Sequence, residues 1–317
     1  MAEGRALITG GAGFIGSRLA QRLLDDGLSV TLLDDLSVGS RKRIPSASKF
    51  VRGDIRDDDL VAELMGETDL IFHLAARVSV HECIRDWRAS HDINLGGTIA
   101  ILDAARRAGN IPVIYASSAA VYGAGAGAGF ANREDALSRP MSPYGADKQA
   151  CEHQAAAMSE IFGLPSIGLR FFNVYGSGQD PASPYAGVIA RFLSNRRAGR
   201  PHEIFGDGLQ SRDFIHVDDV VEALIAARRH LLAEAQTTVL NICTGVKTTL
   251  LDVVRVLDEA AGGPDAQVRF LPIRKGDIRD SLGSPDAAKL RLGFASRISL
   301  REGLVRMWEE DPATGQS

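Results

Sequence analysis

The hydrophobic positions of this chain change their period as they run. Ala6-Leu7-Ile8-Thr9 is a continuous apolar stretch of strand length, broken at once by Gly10-Gly11-Ala12-Gly13. From Phe14 to Asp26 apolar residues recur at helical spacing, and Gly27 closes the pattern. Ser29–Leu33 predicts a second strand, and Asp69-Leu70-Ile71-Phe72-His73-Leu74 and Ile111-Pro112-Val113-Ile114-Tyr115 predict two more. Between those two lies a helical stretch, His91–Ala108, with Ile93, Ile101, Ala104 and Ala105 on roughly one face. Tyr144–Phe162 predicts an alanine-rich helix. Strands alternating with helices imply a parallel, doubly wound α/β sheet of the Rossmann type.

Beyond Phe171 the texture changes. Residues 174–187 carry three glycines and two prolines, and residues 205–212 are polar and turn-like. Val217–Leu232 returns to a helix with Asp218 as its expected N-cap, and Val239–Cys243 to a strand. An amphipathic helix with Leu250, Val253, Val254, Val256 and Leu257 follows Thr248, and then a charged, irregular tail. The expected organisation is a Rossmann domain of residues 1–173 and 213–246, with a smaller discontinuous substrate region of residues 174–212 and 247–317. The glycine–alanine run 123–129 reads as a flexible loop.

Composition narrows the class. A net charge of −4 supplies no surplus of cations for nucleic-acid phosphates. Cys83, Cys151 and Cys243 have the spacing of neither a disulfide framework nor a zinc site, which predicts a reducing, cytoplasmic setting. His81-Glu82-Cys83 are adjacent and cannot converge on one ion, so no metal is expected. The first apolar run is too short for a signal peptide or a membrane span.

The candidate chemistry begins at Thr9-Gly10-Gly11-Ala12-Gly13-Phe14-Ile15-Gly16, which follows a strand and opens a helix. Glycine is needed where such a turn tightens and where backbone nears a pyrophosphate, and the helix N-terminus attracts the phosphates. Asp34 ends the second strand, 18 residues past Gly16, where a carboxylate grips ribose hydroxyls. That carboxylate would repel a 2′-phosphate, favouring NAD. Arg41-Lys42-Arg43, the one cationic run that could clamp such a phosphate, reads as solvated surface. Tyr144 and Lys148 are four apart, on one face of a helix that Pro143 fits to begin. A neighbouring ammonium stabilises a phenolate, and Ser118 at a strand terminus delivers a hydroxyl to the same crevice.

Over nearly its whole length the chain resembles the extended short-chain dehydrogenase/reductases, and within them the UDP-glucose/UDP-N-acetylglucosamine 4-epimerases. The resemblance rests on T-G-G-A-G-F-I-G (9–16), D-D-L-S-V-G (34–39), G-D-I-R-D (53–57), H-L-A-A (73–76), S-S-A-A-V-Y-G (117–123), S-P-Y-G-A-D-K (142–148), L-R-F-F-N-V-Y-G (169–176), S-R-D-F-I-H-V-D-D-V (211–220) and R-K-G-D-I-R-D-S (274–281). It implies NAD contacts at Gly10, Gly13, Phe14, Ile15, Gly16, Asp34, Asp35, Ser37, Gly39, Asp54, Ile55, Leu74, Ala75, Ala76 and Lys148. Asp35 departs from the asparagine usual there. It implies UDP contacts at Asn173, Gly187, Val188, Phe205, Arg212, Arg274 and Asp277, and sugar contacts at Ser79, Ser118, Tyr144 and Ser281.

The implied activity is 4-epimerisation of a UDP-hexose, UDP-GlcNAc/UDP-GalNAc or UDP-Glc/UDP-Gal, through a 4-keto intermediate. Dehydratases of the same type carry an acid and a base after the serine, where this chain has Ala119-Ala120. Uronate 4-epimerases place an arginine after N-V-Y-G, where this chain has Ser177-Gly178-Gln179-Asp180-Pro181. A 4-keto-sugar reductase and a catalytically silent NAD-sensing regulator are the remaining alternatives. The resemblance also implies a homodimer in which helices 91–108 and 144–162 pair as a four-helix bundle. A small residue at Ser281 predicts room for an N-acetyl group.

Overall fold

The computed structural model describes residues 4–125, 127, 129–179, 187–273 and 278–310. The chain runs through β1 (Arg5–Thr9), α1 (Phe14–Asp25), β2 (Ser29–Asp34), β3 (Lys49–Arg52), α2 (Asp58–Met65) and β4 (Leu70–His73). Next come α3 (Val80–Arg85), α4 (Trp87–His91), α5 (Gly97–Arg107), β5 (Val113–Ser118), α6 (Pro143–Phe162) and β6 (Ser166–Phe171). The later part holds β7 (Asn173–Tyr175), α7 (Val188–Arg197), β8 (His202–Phe205), β9 (Ser211–Arg212), β10 (Phe214–His216), α8 (Val217–Glu234) and β11 (Thr238–Ile242). Last are β12 (Thr248–Thr249), α9 (Leu250–Ala261), β13 (Val268–Leu271), β14 (Asp280–Ser281), α10 (Asp286–Leu292) and α11 (Leu300–Glu310).

Seven strands form one parallel sheet in the order β11-β6-β5-β4-β1-β2-β3. The order reverses between β1 and β4, and in such sheets ligands bind beyond the carboxyl ends of the strands at that point. Strand alternation divides the core. Ala6 and Ile8 face a cluster with Leu19, Leu23, Val220 and Leu224 of α1 and α8. Leu7 faces Val61, Ile101 and Ala155 of α2, α5 and α6. Each fully buried large aliphatic side chain contributes roughly 1.5–3 kcal/mol, so both faces hold the sheet edge rigid beneath the crevice.

Two expectations are corrected and one is refined. The stretch 91–108 is helical through Arg107, but Asp92–Gly96 is a π turn between α4 and α5. That extra residue per turn rotates the face, so Asn94 is buried while Ile93 is only partly so. The N-cap of α8 is His216, whose Nδ1 accepts from the Asp218 N–H, and Asp218 lies in the first turn. The charged tail contains α10 and α11. Charge hid them because each buries only a narrow face: Ala288 of α10 joins the main core with Phe294, and Leu304 and Met307 of α11 join α9. Thus 286–294, assigned by sequence to the second region, pack on the first.

A further cluster gathers Tyr175, Ile189, Phe192, Ile204, Phe214, Val253 and Leu257 with α11. Its helix α9 begins with a capping box in which Thr249 and Asp252 satisfy each other's backbone N–H groups.

Candidate active site

The loops leaving β1 and β4 touch at the switch point. Gly10 has φ +71°, and a Cβ there would sit 2.8 Å from the Ala75 amide nitrogen. A Cβ on Gly16 would overlap the Gly10 carbonyl oxygen and lie 3.0 Å from Gly11 Cα. The first turn of α1 is therefore pressed onto the loop before it. Gly13 caps the helix with no side chain and no acidic residue occupies its first turn. Unsatisfied N–H groups and the positive end of the helix dipole are left for an anion. Phe14 and Ile15 open that turn.

Asp34 is buried at the end of β2. Its carboxylate accepts from the Ala12 N–H at 2.9 Å and the Leu36 N–H at 2.8 Å. Burial raises its pKa above the usual carboxylate value, while those two donors pull it back down. A Cβ on Gly39 would come 2.8 Å from the same carboxylate, so the glycine is what lets the loop close over Asp34. Asp35 is turned away, accepting from Ser37 N–H and Oγ at 2.8 and 2.6 Å. Asp54 is engaged by Arg56, which lowers its pKa. Ile55 is buried against Gly97 at the start of α5. Leu74, Ala75 and Ala76 are partly buried in the loop after β4. A glycine cradle, an uncapped helix start and a buried carboxylate together fit a dinucleotide with a free adenosine ribose.

The second part of the site is built by α6 against the end of β5. Ser142 caps α6 by accepting from the Gly145 N–H, and Pro143 takes its first position. Gly145 presses on β5's continuation so closely that a Cβ would lie 2.5 Å from the Ala120 carbonyl oxygen. One turn on, the buried Lys148 ammonium donates to the Ala116 carbonyl at 2.8 Å and stands 5.9 Å from the Tyr144 ring centroid. Tyr144 is itself 9% exposed. Ser118 Oγ accepts from the Ala120 N–H at 3.1 Å, which leaves its hydroxyl hydrogen to be donated outward. Tyr144, Lys148 and Ser118 are thus brought to one place by contacts at Ala116 and Ala120.

Sequence reasoning passed over His73. It lies buried at the end of β4, with Nδ1 2.7 Å from Thr9 Oγ1 and Nε2 3.0 Å from Thr98 Oγ1. Thr98 donates to the Asn94 carbonyl at 2.6 Å, and Thr9 accepts from the Ala75 N–H at 3.3 Å. These partners assign the proton to Nε2. Burial first, and the Lys148 cation second, push its pKa down to about 3, so the ring is neutral. The H-L-A-A motif contained it, but its partners come from three other elements.

Of the remaining predicted residues, Asn173 and Arg212 lie beside Asp213 and the others are spread over separate elements. Asn173 Nδ2 donates to the Asp213 carbonyl at 3.1 Å. The buried Asp213 carboxylate accepts from Thr244, Gly245 and Gly283 N–H groups. Arg212 on β9 pairs directly with Ser281 on β14, and donates to the Ser211 carbonyl at 2.8 Å. Gly187 caps α7 ahead of Val188, and Phe205 ends β8; neighbouring Ile189 and Ile204 share one core cluster. Ser79 caps α3, accepting from the Glu82 N–H at 3.2 Å. Arg274 and Asp277 lie outside the described residues. Among the described residues no three metal-ligating side chains converge and no helix is long and apolar enough to cross a membrane.

Comparison with known proteins accords with this architecture. The model of the NAD dependent epimerase/dehydratase family matches residues 6–243. The UDP-glucose 4-epimerase of Mycolicibacterium smegmatis is 38% identical over 312 residues, covering 96% of this chain and 97% of that one. The structure of the Thermus thermophilus UDP-glucose 4-epimerase complex with NAD superposes with a TM-score of 0.89 at 33% identity, covering 98% of this chain and 100% of that one. The UDP-N-acetylglucosamine 4-epimerase of Methanobrevibacter ruminantium, in complex with UDP-N-acetylmuramic acid, gives 0.90 at 31% identity, covering 97% and 98%. The chain belongs to the NAD-dependent epimerase/dehydratase family and is similar along its length to the UDP-sugar 4-epimerases within it.

Proposed function

We propose that the protein interconverts C4 epimers of a UDP-hexose with retained NAD, and that Ser118, Tyr144 and Lys148 carry the reaction. The observation that supports this most is the clasp of α6 on the end of β5, with Lys148 buried beside Tyr144 and Ala119-Ala120 following Ser118. The Lys148 ammonium stabilises the phenolate form of Tyr144, which takes the proton of the sugar 4-hydroxyl and is itself neutralised as the C4 hydride leaves. Ser118, its oxygen already occupied by Ala120, donates to the sugar oxygen and orients it. NAD, when bound, supplies the two-electron acceptor that takes the C4 hydride and returns it. Gly10, Gly13, Gly16 and Asp34 hold it at the switch point, with Phe14, Ile15, Gly39 and Ala75 around them. The hexose, oxidised to its 4-keto form, presents its opposite face before Tyr144 returns the proton.

The two methyl side chains after Ser118 offer no group that moves a proton, which counts against dehydration. Arg212, beside Ser281 through strand pairing, suits a pyrophosphate contact with Asn173, and Phe205 a uracil face. The short Ser281 side chain leaves room for an acetamide, which supports UDP-GlcNAc and UDP-GalNAc as substrates alongside the unsubstituted pair. The exposed apolar side chains Ile84, Trp87 and Ile99 on α3–α5 support a homodimer through that face and α6. Three buried free thiols fit a reducing, cytoplasmic setting.

The test is incubation with a panel of UDP-hexoses, no NAD added, with C4 epimers followed by NMR. Epimers from at least one pair are expected. No epimer from any sugar overturns the reading, and one NADPH consumed per turnover overturns it in favour of a reductase.

A further inference from the structure

Tyr144, Lys148 and Glu152 follow one another at single-turn intervals along α6, and the third carries no role in the chemistry above. Its side chain is 7% exposed and pairs with Arg170, equally buried, through Oε1–Nε at 2.9 Å and Oε2–Nη2 at 2.7 Å. Oε1 also accepts from Ser117 Oγ at 2.5 Å. Ser117 lies directly opposite Arg170 in the β5–β6 register, so Glu152 bridges two neighbouring strand ends. Arg170 Nη1 reaches the Tyr122 hydroxyl at 2.7 Å, in the short turn that Ser118 caps, and Tyr122 donates to Asn241 at 2.6 Å. Ser118 is therefore held on both sides, at Ser117 and at Tyr122, by one ion pair anchored to the helix that carries Tyr144.

We infer that Glu152 and Arg170 form a positioning pair that fixes Ser118 against Tyr144 and cancels a charge two helical turns from the proposed base. A buried ion pair gives little net stability over an apolar pair of the same volume, so fold stability alone does not account for its placement here. The ionisable groups around the Glu152 carboxylate are Arg170 from β6, Tyr115 from β5, Cys151 and Lys148 on its own helix, and Tyr122 through the guanidinium. Burial keeps Tyr115 and Tyr122 protonated, the latter with its pKa pushed up to about 12. Arg170 is thus the group that neutralises the carboxylate.

This inference rests on the proposed function and is tested beside it. Eight residues of helix span about 12 Å. Across that distance an uncompensated unit charge moves a titration by about a quarter to one pH unit. Glu152→Gln leaves a cation and should move the acidic limb of the kcat/KM profile to lower pH. Arg170→Gln leaves an anion and should move it to higher pH. The paired variant Glu152→Met/Arg170→Met restores neutrality and is the version expected to fold. It should return the limb to its wild-type position while lowering kcat about tenfold at a KM within about twofold, because Ser118 has lost its brace. Limbs that shift together or stay still, or a paired variant with wild-type kcat, overturn the inference. If the wild type run alongside epimerises nothing, it is the proposed function that fails.

Discussion

Gly16→Ala separates what holds the fold from what holds the nucleotide. The added methyl would overlap the Gly10 carbonyl oxygen and stand 3.0 Å from Gly11 Cα, so α1 and the loop must part by about 1 Å to reach ordinary contact distances. Overpacking of this kind costs about 1–3 kcal/mol. Alanine in a helix interior returns about 1 kcal/mol relative to glycine, so the net loss is about 0–2 kcal/mol. In a chain of this size that lowers Tm by less than about 8 °C. Nucleotide binding suffers more. Each backbone N–H drawn off a phosphate forfeits a charge-assisted hydrogen bond of about 1.5–3 kcal/mol, a factor of about 10 to 150 in affinity. The assay is purification without added nucleotide, release of bound NAD(H) by denaturation, and a thermal melt of the same sample. Gly27→Ala is the control: φ is +82° with nothing within 4 Å of the new Cβ, so it should cost about 1–2 kcal/mol and keep its nucleotide. Wild-type nucleotide content in Gly16→Ala, or equal loss in both variants, would refute the assignment of this turn as the phosphate cradle.

Tyr144→Phe should keep fold and nucleotide and lose about two to four orders of magnitude in kcat, with Ser118→Ala slower by less; near-normal turnover of Tyr144→Phe removes it as the base. Ser281→Tyr should abolish turnover of the N-acetylated sugars selectively, since a phenol inserted beside Arg212 takes the acetamide's space; equal weakening of all four substrates contradicts the pocket assignment. His73 gives a pH dependence with a definite sign. Its folded pKa, about 3, lies below the unfolded 6.5, so its stabilisation is full above about pH 6.5 and is lost as pH falls toward 3. Between pH 7 and 5 that loss is about 2 kcal/mol, and urea unfolding of His73→Gln should fall by that much less than wild type over the interval; parallel curves refute it.

The sheet was legible because its inner strands are buried on both faces and so read as unbroken apolar runs, as Leu7-Ile8 and Ile71-Phe72 do. β3, Lys49–Arg52, escaped notice because it is an edge strand in which no residue is fully buried, unlike β11 at the other edge. The π turn at Asp92–Gly96 leaves no propensity signal; it is visible only once Asn94 is seen bonded to the Arg77 backbone. Site residues divide the same way. The roles proposed for Gly10, Gly16, Asp34, Tyr144 and Lys148 depend on local geometry, a turn or one helix face, and local geometry is written in spacing. Glu152 stood one turn beyond Lys148 and could have been read from that spacing. Its partners could not, because Arg170 meets Ser117 only through the β5–β6 register.

The cationic run Arg41-Lys42-Arg43 shows how the two halves of the site are joined. Arg41 stacks on the Phe50 ring, 5.4 Å from its centroid, and Arg43 donates to the Gly178 carbonyl at 2.6 Å. Neither guanidinium is directed by those contacts toward a phosphate on the Asp34 ribose, and the carboxylate itself repels one, which agrees with NAD over its 2′-phosphorylated form. Arg18, on the helix that begins at the glycine cradle, donates to the Ser177 carbonyl at 2.7 Å and pairs with Asp218 at 3.0 Å. Two arginines from the nucleotide side thus grip successive carbonyls just after Asn173-Val174-Tyr175-Gly176, the segment that presents the proposed pyrophosphate contact. Backbone carbonyls accept from a guanidinium without a competing charge to titrate, so this tie does not loosen with pH as a carboxylate pair would. An enzyme that must return a hydride to the same sugar gains from such a tie, because the same loop that closes over Asp34 also steadies the segment proposed to hold the sugar nucleotide.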